Sequence, residues 1–285
     1  MSAGVALVEV PYAIGDERHP ASHGAERLGE AGERALAAGG LAAAIERVER
    51  GTPFADSASA SLAVNTEVAR IVRDAVAAAR LPIVLAGSCD AAMGVLAGFE
   101  HSRCGVLWLD AHADFNTPES TVSGFFPGMS VAVIAGHCYG SFWGQIGDNT
   151  PVAEDAILMV GVRDLSPEAE RERLERSAIQ VVAWRDGKPS ADLRARLDEL
   201  RGRVDDLYVH VDLDALAPDV APGIVDPPVP GGLTAEQLED VLGAVAERFR
   251  VSAAAVTTYN PERDESEKTL TTAVRLVELL GACAA

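Results

Sequence analysis

Seven short runs rich in valine, isoleucine and leucine recur along the chain: 5–10 (VALVEV), 82–87 (PIVLAG), 105–110 (GVLWLD), 156–162 (AILMVGV), 179–184 (IQVVAW), 207–212 (LYVHVD) and 252–259 (SAAAVTTY). Most are continuously apolar rather than alternating, the pattern of strands covered on both faces. Between them lie amphipathic stretches of helical length at 24–50, 61–80, 167–176, 190–201, 234–248 and 265–281. This alternation predicts βαβ units in an α/β fold: a three-layer α/β/α sandwich around a mainly parallel central sheet, in one domain over 1–285. Ser166 is a candidate N-cap ahead of Pro167, and Thr234 followed by Gln237 has capping-box spacing. The stretches 111–130, 138–155 and 213–233 are expected to be long non-helical connections, which in a compact domain usually carry function.

Composition narrows the function classes. With 48% hydrophobic and 24% charged residues, the 285-residue chain has the make-up of a soluble globular protein. Forty-three acidic against 24 basic side chains give a formal net charge of -19, which opposes binding to nucleic acid or an anionic membrane surface. The N-terminal stretch lacks a basic n-region, and no apolar run approaches the roughly 20 residues that span a bilayer. A cytoplasmic protein with a small-molecule partner is therefore expected. The four cysteines, Cys89, Cys104, Cys138 and Cys283, have no CxxC spacing and suggest neither a disulfide framework nor a zinc knuckle.

Candidate chemistry gathers at strand ends. In LWLDAHADFNTP, Asp110, His112 and Asp114 stand at i, i+2 and i+4 as a strand leaves the sheet, so their side chains can converge. LYVHVDLDALAPDVAPG repeats the pattern with Asp212 and Asp214. Either motif alone is as readily a cap or a turn. Four converging carboxylates without a cation, however, repel one another and are costly to bury, so the pair of motifs points to a divalent metal. His210, deeper in its strand, reads as a core histidine. Cys89, in VLAGSCDAAMG, is open between nucleophile, metal ligand and small buried side chain.

LDAHADFNTPESTVSGFFPGMSVAVIAG followed by VHVDLDALAPDVAPGIVDPPVPGGLTAEQ resembles the ureohydrolases, the arginase and agmatinase superfamily, with their DAHxDxNTP, SGxxHGMP, DxDxxDP and PxxGGLT signatures. The likeness runs from AGSCDAAMGVLAG to TTYNPERD. It implies an arginase-like α/β/α fold holding two Mn2+ ions that share a hydroxide, which attacks a guanidinium carbon. By position, one ion would be held by Cys89, Asp110, Asp114 and Asp212. The other would be held by His112, Asp110, Asp212 and Asp214. Asp114 would be the catalytic group that handles the proton, and Asn116 and Ser123 would contact substrate. Trimeric or hexameric homo-oligomers are also implied.

Four positions depart from the family pattern. Where the family has GGDHS the chain reads AGSCD, so Cys89 replaces a metal-binding histidine and Ser88 the acid before it. A thiolate suits Zn2+ or Fe2+ better than Mn2+. Pro127 replaces a histidine in SGFFPGM, Thr258 replaces the glutamate that pairs with guanidinium, and Ser166 replaces an aspartate. Asp226, in GIVDPPVPGG, is the candidate substitute counter-charge. The expected function is a binuclear metallohydrolase cleaving a non-peptide C–N bond in a linear guanidine, amidine or amide. Arginine itself is disfavoured, and a hydroxyguanidine fits better. The alternative is a ureohydrolase-fold protein that binds metal or ligand without turnover.

Overall fold

The computed structural model describes residues 4–49, 56–99, 103–147, 149–224 and 228–284. Ten strands are β1 (Val5–Val10), β2 (Ala43–Arg47), β3 (Leu81–Ala86), β4 (Cys104–Leu109), β5 (Ile157–Val160), β6 (Gln180–Val182), β7 (Trp184–Arg185), β8 (Lys188–Pro189), β9 (Asp206–Asp212) and β10 (Arg250–Thr257). The helices are α1 (Ser22–Ala38), α2 (Ser57–Ala77), α3 (Ala92–Ala97), α4 (Ser130–Ile134), α5 (Gly140–Ile146), α6 (Glu168–Arg176), α7 (Leu193–Arg201), α8 (Ala235–Ala246) and α9 (Lys268–Ala282). Eight strands form one sheet in the order β2-β1-β3-β10-β9-β4-β5-β6, parallel throughout. Helices α1, α7, α8 and α9 cover one face, and α2 with α3, α4 and α5 covers the other. This is the expected three-layer sandwich. No helix among the described residues is long and apolar enough to cross a membrane.

Strands β1, β3, β4 and β5 are buried at every position, as their unbroken apolar runs require. The capping box forms as expected: Gln237 N–H donates to Thr234 Oγ1 at 3.2 Å, and Thr234 N–H to Gln237 Oε1 at 3.0 Å.

Three local expectations are corrected. The helix expected over 24–50 ends at Ala38. Gly39 caps it and Gly40, at φ +80°, turns the chain into edge strand β2. Residues 140–146 form helix α5 within a stretch expected to be non-helical. Pro167, with ψ 178°, occupies the N-cap of α6 without a side-chain cap, so Ser166 is displaced one position outside.

Topology places the site. Strand β3 is followed in sequence by β4, but β10 and β9 lie between them in the sheet. The chain thus crosses a switch point, and a crevice opens beyond the carboxyl ends of β3, β10, β9 and β4. Thr257 is level with both Ala86 and Asp212, while Leu109 is level with Val211. One residue further on, Asp110 therefore stands beside Asp212.

Candidate metal centre

The crevice is a cavity of about 730 Å³ whose floor carries Cys89, Asp110, His112, Asp114, Asp212 and Asp214. The six side chains expected to bind metal are thus brought together from three strand ends. The ligand atoms of five of them fall into two groups that share one carboxylate, and Asp212 adjoins both through the Cys89 thiol and the Asp214 N–H. Cys89, Asp110 and Asp114 converge within 4.8 Å, and so do Asp110, His112 and Asp214.

Parity along the strands explains the arrangement. Trp108 and His210 are register partners on neighbouring strands, and their rings stack at 3.6 Å with planes 3° apart. Two residues on, Asp110 and Asp212 project from the same side. Trp108 Nε1–H donates to Asp110 Oδ2 at 3.0 Å, so the layer beneath the site orients its shared ligand. His210 is fully buried against Trp108, Tyr208 and Thr257, and burial lowers it to about 3. It is the neutral core histidine that its depth in the strand suggests.

The His112 group is held by backbone as well as side chains. His112 N–H donates to Asp110 Oδ1 at 2.7 Å, and Ala111 N–H to Asp214 Oδ1 at 3.0 Å. The ring Nδ1 lies 3.2 Å from Asp110 Oδ1 and 3.1 Å from Asp214 Oδ2. One N–H can be aimed at only one of them, and Asp214 Oδ2 is left buried without a well-directed hydrogen bond. Burial alone would lower His112, but its contacts with Asp110 and Asp214 push it up to about 12. Burial would raise Asp214, but the His112 ring and the Ala111 N–H outweigh it and leave this carboxyl below the usual range.

The Cys89 group is held differently. The thiol donates to Asp212 Oδ2 at 2.8 Å and lies 3.3 Å from Thr257 Oγ1. Burial, then the charges of Asp212, Asp114 and Asp110, push the thiol well above its ordinary value. Burial also raises Asp110, to about 7, with Asp214 adding to the effect. It lifts Asp114 and Asp212 well above the ordinary carboxylate range, with the charges of Asp110 and Asp214 respectively contributing next. Asp114 is only 7% exposed and lines the cavity. Four buried carboxylates, with Asp214 Oδ2 left without a hydrogen bond, fit divalent cations.

The expected substrate contacts are spread more widely. Thr258 lines the cavity, but its hydroxyl donates to Asp212 Oδ1 at 2.5 Å. Its φ of +69° is strained for a β-branched residue. Asn116 and Ser123 lie off the cavity lining. The Asn116 side chain is engaged by Ser120 and the Ser166 carbonyl, and Ser123 Oγ accepts from Phe125 N–H. Asp226 lies outside the described residues. Pro127 lines the cavity, where it offers no side-chain donor.

Sequence reasoning missed several groups. His19 and Asp164 also line the cavity, from segments with no motif to mark them, and so do Asn260, Glu262 and Arg263, in the TTYNPERD stretch where only Thr258 was singled out. Arg163 reaches the carbonyls of Asp214, Leu216 and Val229 at 2.8–3.3 Å and pins the loop after β9. Asp90 accepts from the hydroxyls of both Ser88 and Ser61 at 2.5 Å. The acid lost at 88 thus reappears two residues on, in contact with the serine that replaced it. Its signal was visible in SCD.

Comparison with known proteins identifies relatives of the whole chain. The sequence profile of the Arginase family matches residues 3–282. Arginase from Bacillus caldovelox is 33% identical over 219 residues, which cover 75% of this chain and 72% of that one. Its native structure superposes with a TM-score of 0.87 at 29% identity, covering 99% of each chain. An N(omega)-hydroxy-L-arginine amidinohydrolase from Streptomyces lavendulae is 31% identical over 172 residues, covering 59% of this chain and 58% of its own.

Proposed function

The chain belongs to the arginase family, and from that premise we propose that it is a binuclear metal-dependent hydrolase cleaving a non-peptide C–N bond in a linear guanidine, amidine or amide. The carrying observation is the pair of ligand groups sharing Asp110, with Asp214 Oδ2 buried and unmet. Cys89, Asp110, Asp114 and Asp212 would hold one ion, and His112, Asp110, Asp212 and Asp214 the other. Mn2+ is the family expectation, with Zn2+ or Fe2+ suited to the Cys89 side. When bound, such cations would lower the pKa of a coordinated water and supply a nucleophile near neutral pH.

The chain's own residues do the rest. Asp114 takes the proton as the water oxygen bonds to the substrate carbon, and delivers it to the nitrogen as the C–N bond breaks. Thr258 fixes the orientation of Asp212 and supplies no counter-charge to a guanidinium. That supports a substrate less dependent on such a charge than arginine, a hydroxyguanidine or a neutral amide, with Asp226 as a further contact. The likeness to a hydroxyarginine amidinohydrolase supports the same class. Cytoplasmic location and a trimeric or hexameric assembly belong to this reading by family resemblance.

A second reading, ligand binding without turnover, is favoured by one observation. Both oxygens of Asp212 are already engaged, Oδ2 by the Cys89 thiol and Oδ1 by Thr258 and the Asp214 N–H. The two readings separate in an assay of the metal-stripped chain reloaded with Mn2+, Zn2+ or Fe2+. Arginine, agmatine, guanidinobutyrate, hydroxyarginine and formiminoglutamate are each tested for release of urea or ammonia. Metal-dependent release from a modified guanidine or amidine above that from arginine is the expected result. Loaded protein inert toward all five supports binding alone.

A further inference from the structure

The two ligand groups differ in the softness of their donors. The first offers one sulfur with the oxygens of Asp110 and Asp114, and the second offers one imidazole nitrogen with the oxygens of Asp110 and Asp214. Resting on the metallohydrolase reading above, we propose that the centre is built for two unlike metals: a thiophilic ion, Zn2+, in the Cys89 half and Mn2+ in the His112 half.

Three features beyond the cysteine carry this. Asp114 is more than nine-tenths buried and lines the cavity, with a carboxylate oxygen within 4.8 Å of Cys89 Sγ and of Asp110, so the Cys89 half pairs its sulfur with a buried oxygen donor. Cys89 Sγ is held at the site rather than turned away, 2.8 Å from Asp212 Oδ2 and 3.3 Å from Thr257 Oγ1. The side chains on either side of it are tied down as well. Ser88 Oγ accepts from Ile14 N–H at 3.0 Å and donates to Asp90, which in turn accepts from Ser61. A metal enters this half by replacing the proton now shared between sulfur and Asp212, and that proton leaves to solvent. Thiolate ligation favours zinc, cobalt or ferrous iron over manganese. The His112 half keeps only nitrogen and oxygen donors, which manganese accepts. Affinity order alone places zinc above manganese at either half, so the asymmetry lies in the margin, which sulfur enlarges on one side only.

Cobalt serves as the spectroscopic stand-in for zinc. The full-length, metal-stripped chain is titrated with Co2+, the near-ultraviolet thiolate-to-cobalt charge-transfer band is followed, and Mn2+ is then added and read by electron paramagnetic resonance. The expected result is a band that saturates at one cobalt per chain, followed by uptake of one Mn2+ per chain. Cys89→Ser should lose the band and retain the Mn2+. Cys89→His should instead bind two Mn2+ with an exchange-coupled signal. Two ions bound by the native chain without a thiolate band, or a native pair of exchange-coupled Mn2+, overturns the proposal while leaving the hydrolase reading intact. A chain that binds none of Co2+, Zn2+ or Mn2+ overturns both.

Discussion

The two ligand groups of the candidate metal centre meet at Asp110 and are built by different means. Around His112 the ligands are fixed by main-chain donors: His112 N–H on Asp110, Ala111 N–H on Asp214, Asp214 N–H on Asp212. Around Cys89 the fixing contacts come from distant strands, with the thiol on Asp212 and Thr258 on the other oxygen of the same group. The first half joins two short local turns, Asp110 to His112 and Asp212 to Asp214, through the Ala111 N–H that reaches across 103 residues. The second depends on side chains that separate strands bring to one level. Main-chain donors thus set the first half, and side-chain contacts alone set the second.

Asp110→Asn tests the shared element, because it removes a ligand from both halves. It should lose both ions and reduce the metal-dependent rate by about 10³-fold or more, the scale of several kcal/mol of lost charge stabilisation. Metal content and turnover measured together check this, and loss of one ion only would show that the halves are independent.

Trp108→Phe leaves every ligand in place but removes the donor to Asp110 Oδ2 and alters the ring stacked on His210. Metal affinity should fall about 10–100-fold, as for other groups that orient a ligand. Calorimetric titration should find both halves weakened together. A drop confined to one half would assign Trp108 to that half alone.

Glu170 bears on the Cys89 half by another route. Its Oε1 accepts the Phe115 N–H at 2.9 Å, anchoring the loop that presents Asp114. Burial raises this carboxyl from 4.5 to about 7. Between those values the native chain keeps a proton that the unfolded chain has released, so stability falls as pH rises through the window and levels off above it. The contribution is about 1–3 kcal/mol. Glu170→Gln keeps the acceptor and removes the titration. Its denaturation midpoint should therefore change less than the native protein's between pH 4.5 and 7, and an equal slope in both proteins would refute the assignment.

Much of the fold was legible because strands buried on both faces are apolar without interruption, as in PIVLAG and GVLWLD. Strand β2 was not, since its half-buried edge sequence, AAIER, is as compatible with a helix as with a strand. Only Gly39, Gly40, Leu41 and Ala42 separate it from α1. Helix α5 was missed because GSFWGQI carries two glycines and little helical periodicity. At the site, Asp110, His112, Asp114, Asp212 and Asp214 were found from spacing alone, since a period of two fixes which side chains share a side of a strand.

Sequence by itself therefore determined the parallel sandwich and the residues able to face its carboxyl edge, because burial pattern and strand period are properties of consecutive positions. Only the tertiary structure decided that Cys89 donates to Asp212, that Thr258 turns its hydroxyl inward and that Asp90 takes over contact with Ser88. It also decided that Asn116 and Ser123 stand off the cavity. Each of these depends on strand register and loop packing, which bring together atoms that no local pattern along the chain relates.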